Sequence, residues 1–469
     1  MKTYLKTLFA LAGATVPLGL AAFACSSADR DEASEHIAPA RDELIGAGRF
    51  GDFDATTDRN ARRLLERGRR IFRFDTFGDE QFWGGELRLH EAIAGVTPAQ
   101  ALGLGLKVDA DALPPRLRDQ IAGGRVDLHD PAVTLSLLRL GAVVGVTGFF
   151  DDRGGLISIG LQCAFCHSTV NDSVAQGVGE RLDGWANRDL NVGAIIASAP
   201  NLQPFVTLLR AVDRDITEAD VRDVLLSWGP GKFDAELILD GKAFRPDGTS
   251  AATLIPNAFD MAGFNEHTWT GNWGSVPYWN AFVAVNEMHG RGNFFDPRLD
   301  DRVKYPVAAA ARLGHVTVPP EEDLVTSKLP ALHVYQLALP SPRPVPGVDF
   351  DERAAARGHE LFTGQARCTR CHHEPLLTDA GWNLHTPEEM RIDAFQASRA
   401  PGGSYKTMNL TGLFIRERGL FMRPENKGRY YHDGRFATLL DVVRSYNERF
   451  GLGLASQQKR DLVEYLKSL

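Results

Sequence analysis

Apolar positions along the 469-residue chain recur with a helical period far more often than they alternate. From about Asn60, Arg63-Leu64-Leu65 and Gly68-Arg69-Arg70-Ile71-Phe72 place apolar residues on one face of an amphipathic helix. Residues 134–146 form a short apolar run that serves equally as a helix or a buried strand. Helices are expected at 191–199, 202–212 and 218–228, followed by a Gly/Pro/Asp-rich loop at 229–247. Two helices of good amphipathic period, 438–450 and 456–469, close the chain. No alternating stretch is long enough for a dominant sheet, so the expected fold class is mainly α. Residues 339–347, with four prolines, read as a stiff linker between two domains.

The first residues carry a different pattern. Lys2 and Lys6 precede an apolar run that ends Ala22-Phe23-Ala24 before Cys25, so 1–24 reads as a signal peptide. Cys25 stands where a lipid-bearing cysteine would follow cleavage, although Ala22 replaces the usual Leu three positions before it. Two outcomes stay open, a lipid anchor on Cys25 or plain cleavage after Ala24. Serines and charges over 25–55 read as a tether. Beyond the leader no apolar run reaches the 18 residues of a membrane span.

Four of the five cysteines fall in two copies of one pentapeptide, Cys163-Ala164-Phe165-Cys166-His167 and Cys368-Thr369-Arg370-Cys371-His372. C-x-x-C-H is the attachment signature of a c-type haem. Two thiols three positions apart share one side of a helical turn and can add across two vinyl groups, and the next residue aims its imidazole at the iron. A structural zinc would need four ligands in one cluster, and a redox C-x-x-C does not call for the histidine. Haem attachment of this kind takes place outside the cytoplasm, which agrees with the leader. His373 reads as a surface residue. The expected layout is a haem domain at 56–338 enlarged by insertions, the linker at 339–347 and a second haem domain at 348–469. A net charge of −8 and 43% hydrophobic residues fit a globular protein and argue against a nucleic-acid partner.

Two haem-c domains in this order resemble the bacterial di-haem cytochrome c peroxidase family, which includes MauG-type enzymes and is related to the rubber oxygenases. The second domain carries most of the resemblance, through Ala354 to Phe362, the second motif and Tyr430-Tyr431-His432-Asp433-Gly434-Arg435-Phe436-Ala437-Thr438-Leu439. The first resembles the family in patches around 163–192 and 253–271. Cys163 and Cys368 lie 205 positions apart, a spacing closer to the rubber oxygenases than to the short peroxidases.

The resemblance implies roles for particular residues. His167 and His372 would be the proximal iron ligands. No histidine occupies 168–266, and Glu180 stands where the peroxidases place a distal histidine. The first haem would then be five-coordinate and open to peroxide or dioxygen, unless Met288 or His289 reaches the iron, and Glu180 reads equally as a surface charge. Glu287 ranks first and His289 second as the acid/base that moves a proton between peroxide oxygens. Three of the seven tryptophans (Trp269, Trp273 and Trp279) fall within eleven positions and suggest a haem wall. Trp269, with Trp273 as runner-up, would pass electrons between the haems. Tyr446 lies 14 residues after His432, at the family's sixth-ligand position for the second haem, where MauG-type enzymes use tyrosine. A core tyrosine is the competing reading, with Met408, Met422, His385 or His432 as ligand instead. Asn187 and Thr407 fall near positions that hold calcium in relatives.

Three functions follow as expectations. The first is a peroxidase-like or MauG-like oxidoreductase, served by a redox partner protein or a small oxidant. The second is a plain electron carrier with both irons six-coordinate. The third is an oxygenase acting on an apolar substrate.

Overall fold

The computed structural model describes residues 52–469. The expected signal peptide, Cys25 and most of the expected tether lie outside these residues. The chain divides into two units, 1–60 and 61–469. Of the first, only the opening of helix α1 (Phe53–Phe74) is described.

The second unit is mainly helical. Its strands, among the described residues, form five two-stranded sheets and no larger one. The run at 134–146 divides: α2 (Pro131–Arg139) starts on the Asp130 cap, and strand β1 (Val146–Phe150) begins where the run ends. β1 pairs antiparallel with β2 (Leu156–Leu161), with Val146 opposite Leu161. Helices α3 (Val192–Ala197), α4 (Gln203–Leu209) and α5 (Glu218–Ser227) follow, each shorter than its apolar pattern. α5 opens on a capping box between Thr217 and Asp220, two orphan donors satisfied reciprocally.

One large apolar core collects α2, the β1–β2 hairpin and α3 to α5, with Leu190, Leu202, Val206 and Val221 almost fully buried. A second gathers Phe72, Trp273, Phe282, Tyr305 and Leu332. It includes α6 (Val276–Phe282) and α7 (Leu329–Leu337), against which α1 packs through Gly68. Residues 339–347 are irregular. After them, α8 (Glu352–Thr363), α9 (Leu439–Phe450) and α10 (Ser456–Lys467) enclose a third core around Phe362, Tyr430, Leu462 and Tyr465. α8 starts on the Asp351 carboxylate, which accepts from the Ala354 N–H at 2.7 Å. α9 begins with a Thr438–Asp441 capping box and ends on Gly451 at φ 61°. No described helix is long and apolar enough to cross a membrane.

Candidate functional site

The first motif sits on a single helical turn, Ala164–His167, just after β2. Gly145 at φ 81° lets the backbone ahead of β1 press onto this turn, since a Cβ there would stand 2.1 Å from the Phe165 Cα. Cys163, Cys166 and His167 line a cavity of about 220 Å³. Burial pushes both thiols up to about 12, so they are neutral. Burial also holds His167 down at about 4, leaving a neutral imidazole with a free lone pair. The Pro256 carbonyl interacts with this ring, but His167 Nδ1 makes no full hydrogen bond.

Glu287 and Met288 line the same cavity. α6 runs directly into a π-helical turn, Val283–Glu287, and this wider turn carries the carboxyl. The Trp83 indole, on a second π-helical turn (Gln81–Glu86), donates to the Met288 carbonyl at 3.0 Å and ties the two together. Glu287 Oε1 is closed off without a hydrogen-bond partner. Burial, with Glu236 and Asp234 nearby, raises its carboxyl to about 8, so it carries a proton at neutral pH. His289 stacks on Phe82 with ring centroids 3.5 Å apart and is held near 4 by burial. It lines an adjoining smaller cavity and not the one that touches His167.

Trp269 lines the main cavity, and its indole donates to the Leu254 carbonyl at 2.7 Å. The Leu254 N–H in turn donates to the His432 carbonyl at 2.6 Å, reaching the second half of the chain. Trp273 is fully buried among Trp279, Phe282 and Tyr305 and does not line the cavity. The aromatic cluster thus separates into two wall residues, Trp269 and Trp279, and a core residue, Trp273.

Glu180 is exposed, and its carboxylate accepts from the Asn171 amide at 3.0 Å. It is not among the residues of the cavity, because the short pairing of Ser168–Val170 with Arg181–Asp183 turns it outward. The Asn187 amide is buried, donating to the Gly105 carbonyl and accepting from the Asp189 N–H. Thr407 is buried beside Thr378, whose hydroxyl donates to the Thr407 carbonyl.

The second motif forms a short turn, Cys368–Arg370, after α8. His372 Nδ1 meets the Leu377 carbonyl at 2.9 Å, which as a donor interaction fixes the tautomer and leaves the lone pair on Nε2. His373 is exposed. Tyr446, on α9, is half-buried near Cys368 and hydrogen-bonds Tyr431. Burial, with the Tyr431 hydroxyl beside it, holds its phenol well above the ordinary tyrosine range. The Arg449 guanidinium lies 4.6 Å from its ring centroid, a cation that would favour a phenolate. His385 has both ring nitrogens engaged, by Asp379 and Glu389 at 2.9 Å each, and the donor atoms of Cys371, Asp379 and His385 lie within 4.8 Å of one another. His432 stacks on Tyr405 with Nε2 buried and unpartnered. Met422 packs with Phe259, Phe414 and Ile415, and Met408 lines the first cavity.

Two charged features were not visible as patterns. Lys406 lines the main cavity, donates to the Glu266 carbonyl at 3.2 Å and is lowered to about 7 by burial. Arg399 is fully buried between Asp240 and Asp234, at 2.9 Å from each. Both come from the second half and meet acids or carbonyls of the first, so only folding assembles them.

No protein-family model matches the chain. Cytochrome-c peroxidase IdrP1 of Denitromonas iodatirespirans is 31% identical over 295 residues, which span 52% of this chain and 73% of that protein. The chain belongs to the bacterial di-haem cytochrome c peroxidase family. The IdrP1 of a Pseudomonas strain is 27% identical over 148 residues, 24% of this chain and 39% of that protein. Among solved structures, hydrazine synthase of Kuenenia stuttgartiensis shares 16% identity at TM-score 0.30, covering 49% of this chain and 76% of that one. A MauG-like protein associated with microbial copper homeostasis shares 20% at TM-score 0.28, covering 50% and 80%. Both superpose poorly. Membership of the cytochrome c peroxidase family implies c-type haem iron, and the residues fit it. Two neutral thiols and an imidazole with a free lone pair share one cavity wall at the first motif, and His372 is oriented for the same use at the second.

Proposed function

We propose that the chain is an exported di-haem c-type oxidoreductase of peroxidase-like or MauG-like activity, with a reactive first haem and an electron-transfer second haem. The observation that carries this reading is Glu287: a buried carboxyl with an unpartnered oxygen, in the same cavity as His167, Cys163 and Cys166. A bound c-type haem supplies the iron that meets peroxide or dioxygen and the redox equivalents. The chain supplies the rest. His167 would hold the iron through a ring nitrogen. Glu287 holds a proton at neutral pH and moves one between the two oxygens of a peroxide. The apolar walls exclude water. Lys406, lowered to about 7 by burial, stands at the cavity wall as a hydrogen-bond donor that would gain its charge beside an anionic group of the cofactor. Trp269, Leu254 and His432 form the bonded bridge along which an electron from the second haem would reach the first. Tyr446 is the proposed sixth ligand at the second iron. The proposed haem domains are 56–338 and 348–469, joined by 339–347, with 1–24 as the export signal. The electron source is a one-electron redox partner.

A second reading, the electron carrier, is favoured by Met288, whose residue lines the cavity and could offer a thioether to the iron. Optical and electron paramagnetic resonance spectra of the oxidised protein separate the two. One high-spin haem that reacts with hydrogen peroxide is the expected result, whereas two low-spin haems inert to peroxide would establish the carrier.

A further inference from the structure

Helix α1 carries its charge on one side only. From Ala61 to Phe74 it holds six arginines against one glutamate, in a chain whose 60 acidic residues outnumber its 52 basic ones. At about 100° per residue, Leu64, Leu65, Gly68, Ile71 and Phe72 share one face. That face packs into the second core and onto α7. Arg62, Arg63, Arg67, Arg69 and Arg70 fall on the other face with Glu66 among them, and all six are exposed.

The arc has little to neutralise it. Among the described residues Arg62, Arg69 and Arg70 pair with no carboxylate. Arg67 donates to the Ser327 carbonyl at 3.2 Å. Arg73, nearer the core, is taken up by Asp183 at 2.5 Å. From Arg62 to Arg70 the arc runs about 12 Å along the helix. Phe74 lies on the same side and keeps 49% of its surface exposed. Guanidinium groups match phosphate bidentately. A basic face with an exposed aromatic ring at its end suits the headgroup layer of an anionic bilayer.

The order of the chain favours that occupant over an acidic protein. Whether Cys25 is anchored or the chain is cleaved after Ala24, α1 is the first described helix after the export signal. It is therefore the described element that stays nearest along the chain to the exporting membrane.

We propose that α1 is a membrane-docking surface whose arginine arc lies on anionic phospholipid. The choice of membrane rests on the export reading; the binding of anionic lipid by the arc does not. Each arginine near such a surface adds about fivefold in affinity at low salt. The attraction is screened beyond about 10 Å at 0.1 M salt. Glu66 is the one acid on the arc and opposes it.

The test uses the full mature di-haem chain, exported on a cleavable leader and carrying Cys25→Ser so that no lipid anchor contributes. It is sedimented with vesicles of phosphatidylglycerol and phosphatidylethanolamine, or of phosphatidylcholine alone. The chain should bind the anionic vesicles at about 0.05 M salt, leave them at about 0.5 M, and stay in solution with the neutral ones. The combined variant Arg62→Gln, Arg69→Gln and Arg70→Gln should bind roughly a hundredfold more weakly, with its circular dichroism and haem spectra retained. Glu66→Gln should bind about fivefold more tightly, a gain that damage to the fold does not produce. Equal binding to both vesicles overturns the proposal, as does a triple arginine variant that binds like its parent. Absence of vesicle binding also overturns it and leaves an acidic protein as the occupant of the arc. A native protein whose mass shows residues 1–24 still attached would overturn the export reading alone, because the vesicles still decide whether the arc takes anionic lipid.

Discussion

Gly68 lies so close to Ala331 that a Cβ on it would stand 2.0 Å from the Ala331 carbonyl oxygen. Gly358 repeats the relationship against Asp461 at 2.1 Å. Four residues after each glycine comes a phenylalanine, and four after each partner a tyrosine. Phe72 meets Tyr335 with ring centroids 5.7 Å apart, and Phe362 meets Tyr465 at 5.0 Å. The same helix crossing therefore occurs once before residues 339–347 and once after them. A shared crossing in each half supports the proposed division into two haem domains.

These contacts leave no room for a methyl group against backbone. Gly358→Ala should destabilise the protein by about 1–3 kcal/mol, as overpacking of a tight contact does. Thermal unfolding followed by circular dichroism should show a lowered midpoint. A midpoint equal to wild type would mean that α8 and α10 can separate without cost.

Glu287→Gln keeps the shape of the side chain and removes its proton transfer. The rate of reaction with hydrogen peroxide, followed by stopped-flow absorbance, should drop by roughly 10²–10⁴-fold. His289→Gln should have the smaller effect, because His289 is stacked on Phe82 beside the adjoining chamber. Equal reactivity of Glu287→Gln and wild type would remove Glu287 from the acid/base role.

Tyr446→Phe should abolish the low-spin spectrum of the second haem and raise its reduction potential, since an anionic oxygen ligand favours ferric iron. Redox titration monitored optically reads both. An unchanged low-spin signal would transfer the ligand role to another residue, with His432 the first to test because its Nε2 is free.

Asp393 joins Arg245 of the first half to Arg435 of the second, at 2.7 and 2.6 Å. Burial works against its charge, but hydrogen bonds from both arginines outweigh burial and hold the carboxyl at about 2. A folded value below the unfolded one, about 3.9, gives stability that is present above pH 4 and is lost as pH falls from about 4 through about 2. Partial exposure screens the effect. Asp393→Asn should flatten the acid limb of the stability curve in that window, measured by denaturant unfolding. An acid limb as steep as wild type would show that other carboxylates set it.

The two C-x-x-C-H motifs, the glycine-bearing helices and the capped helices at the end of the chain are local patterns. Each depends on neighbours one to four positions apart, and so each is legible in the amino-acid sequence. That is why the mainly helical fold, both motif histidines and the amphipathic helices were visible there. Contacts across long separations carry no such period. Glu180 occupies the expected position in the chain but points to solvent, because a short strand pairing directs it outward. Trp269 and Trp273 look alike in the sequence, and only packing makes one a cavity wall and the other core. Asp234, Glu287 and Arg399 lie on three distant segments, and burial, which only the folded chain creates, gives them their charge states and sets two of them around one small chamber.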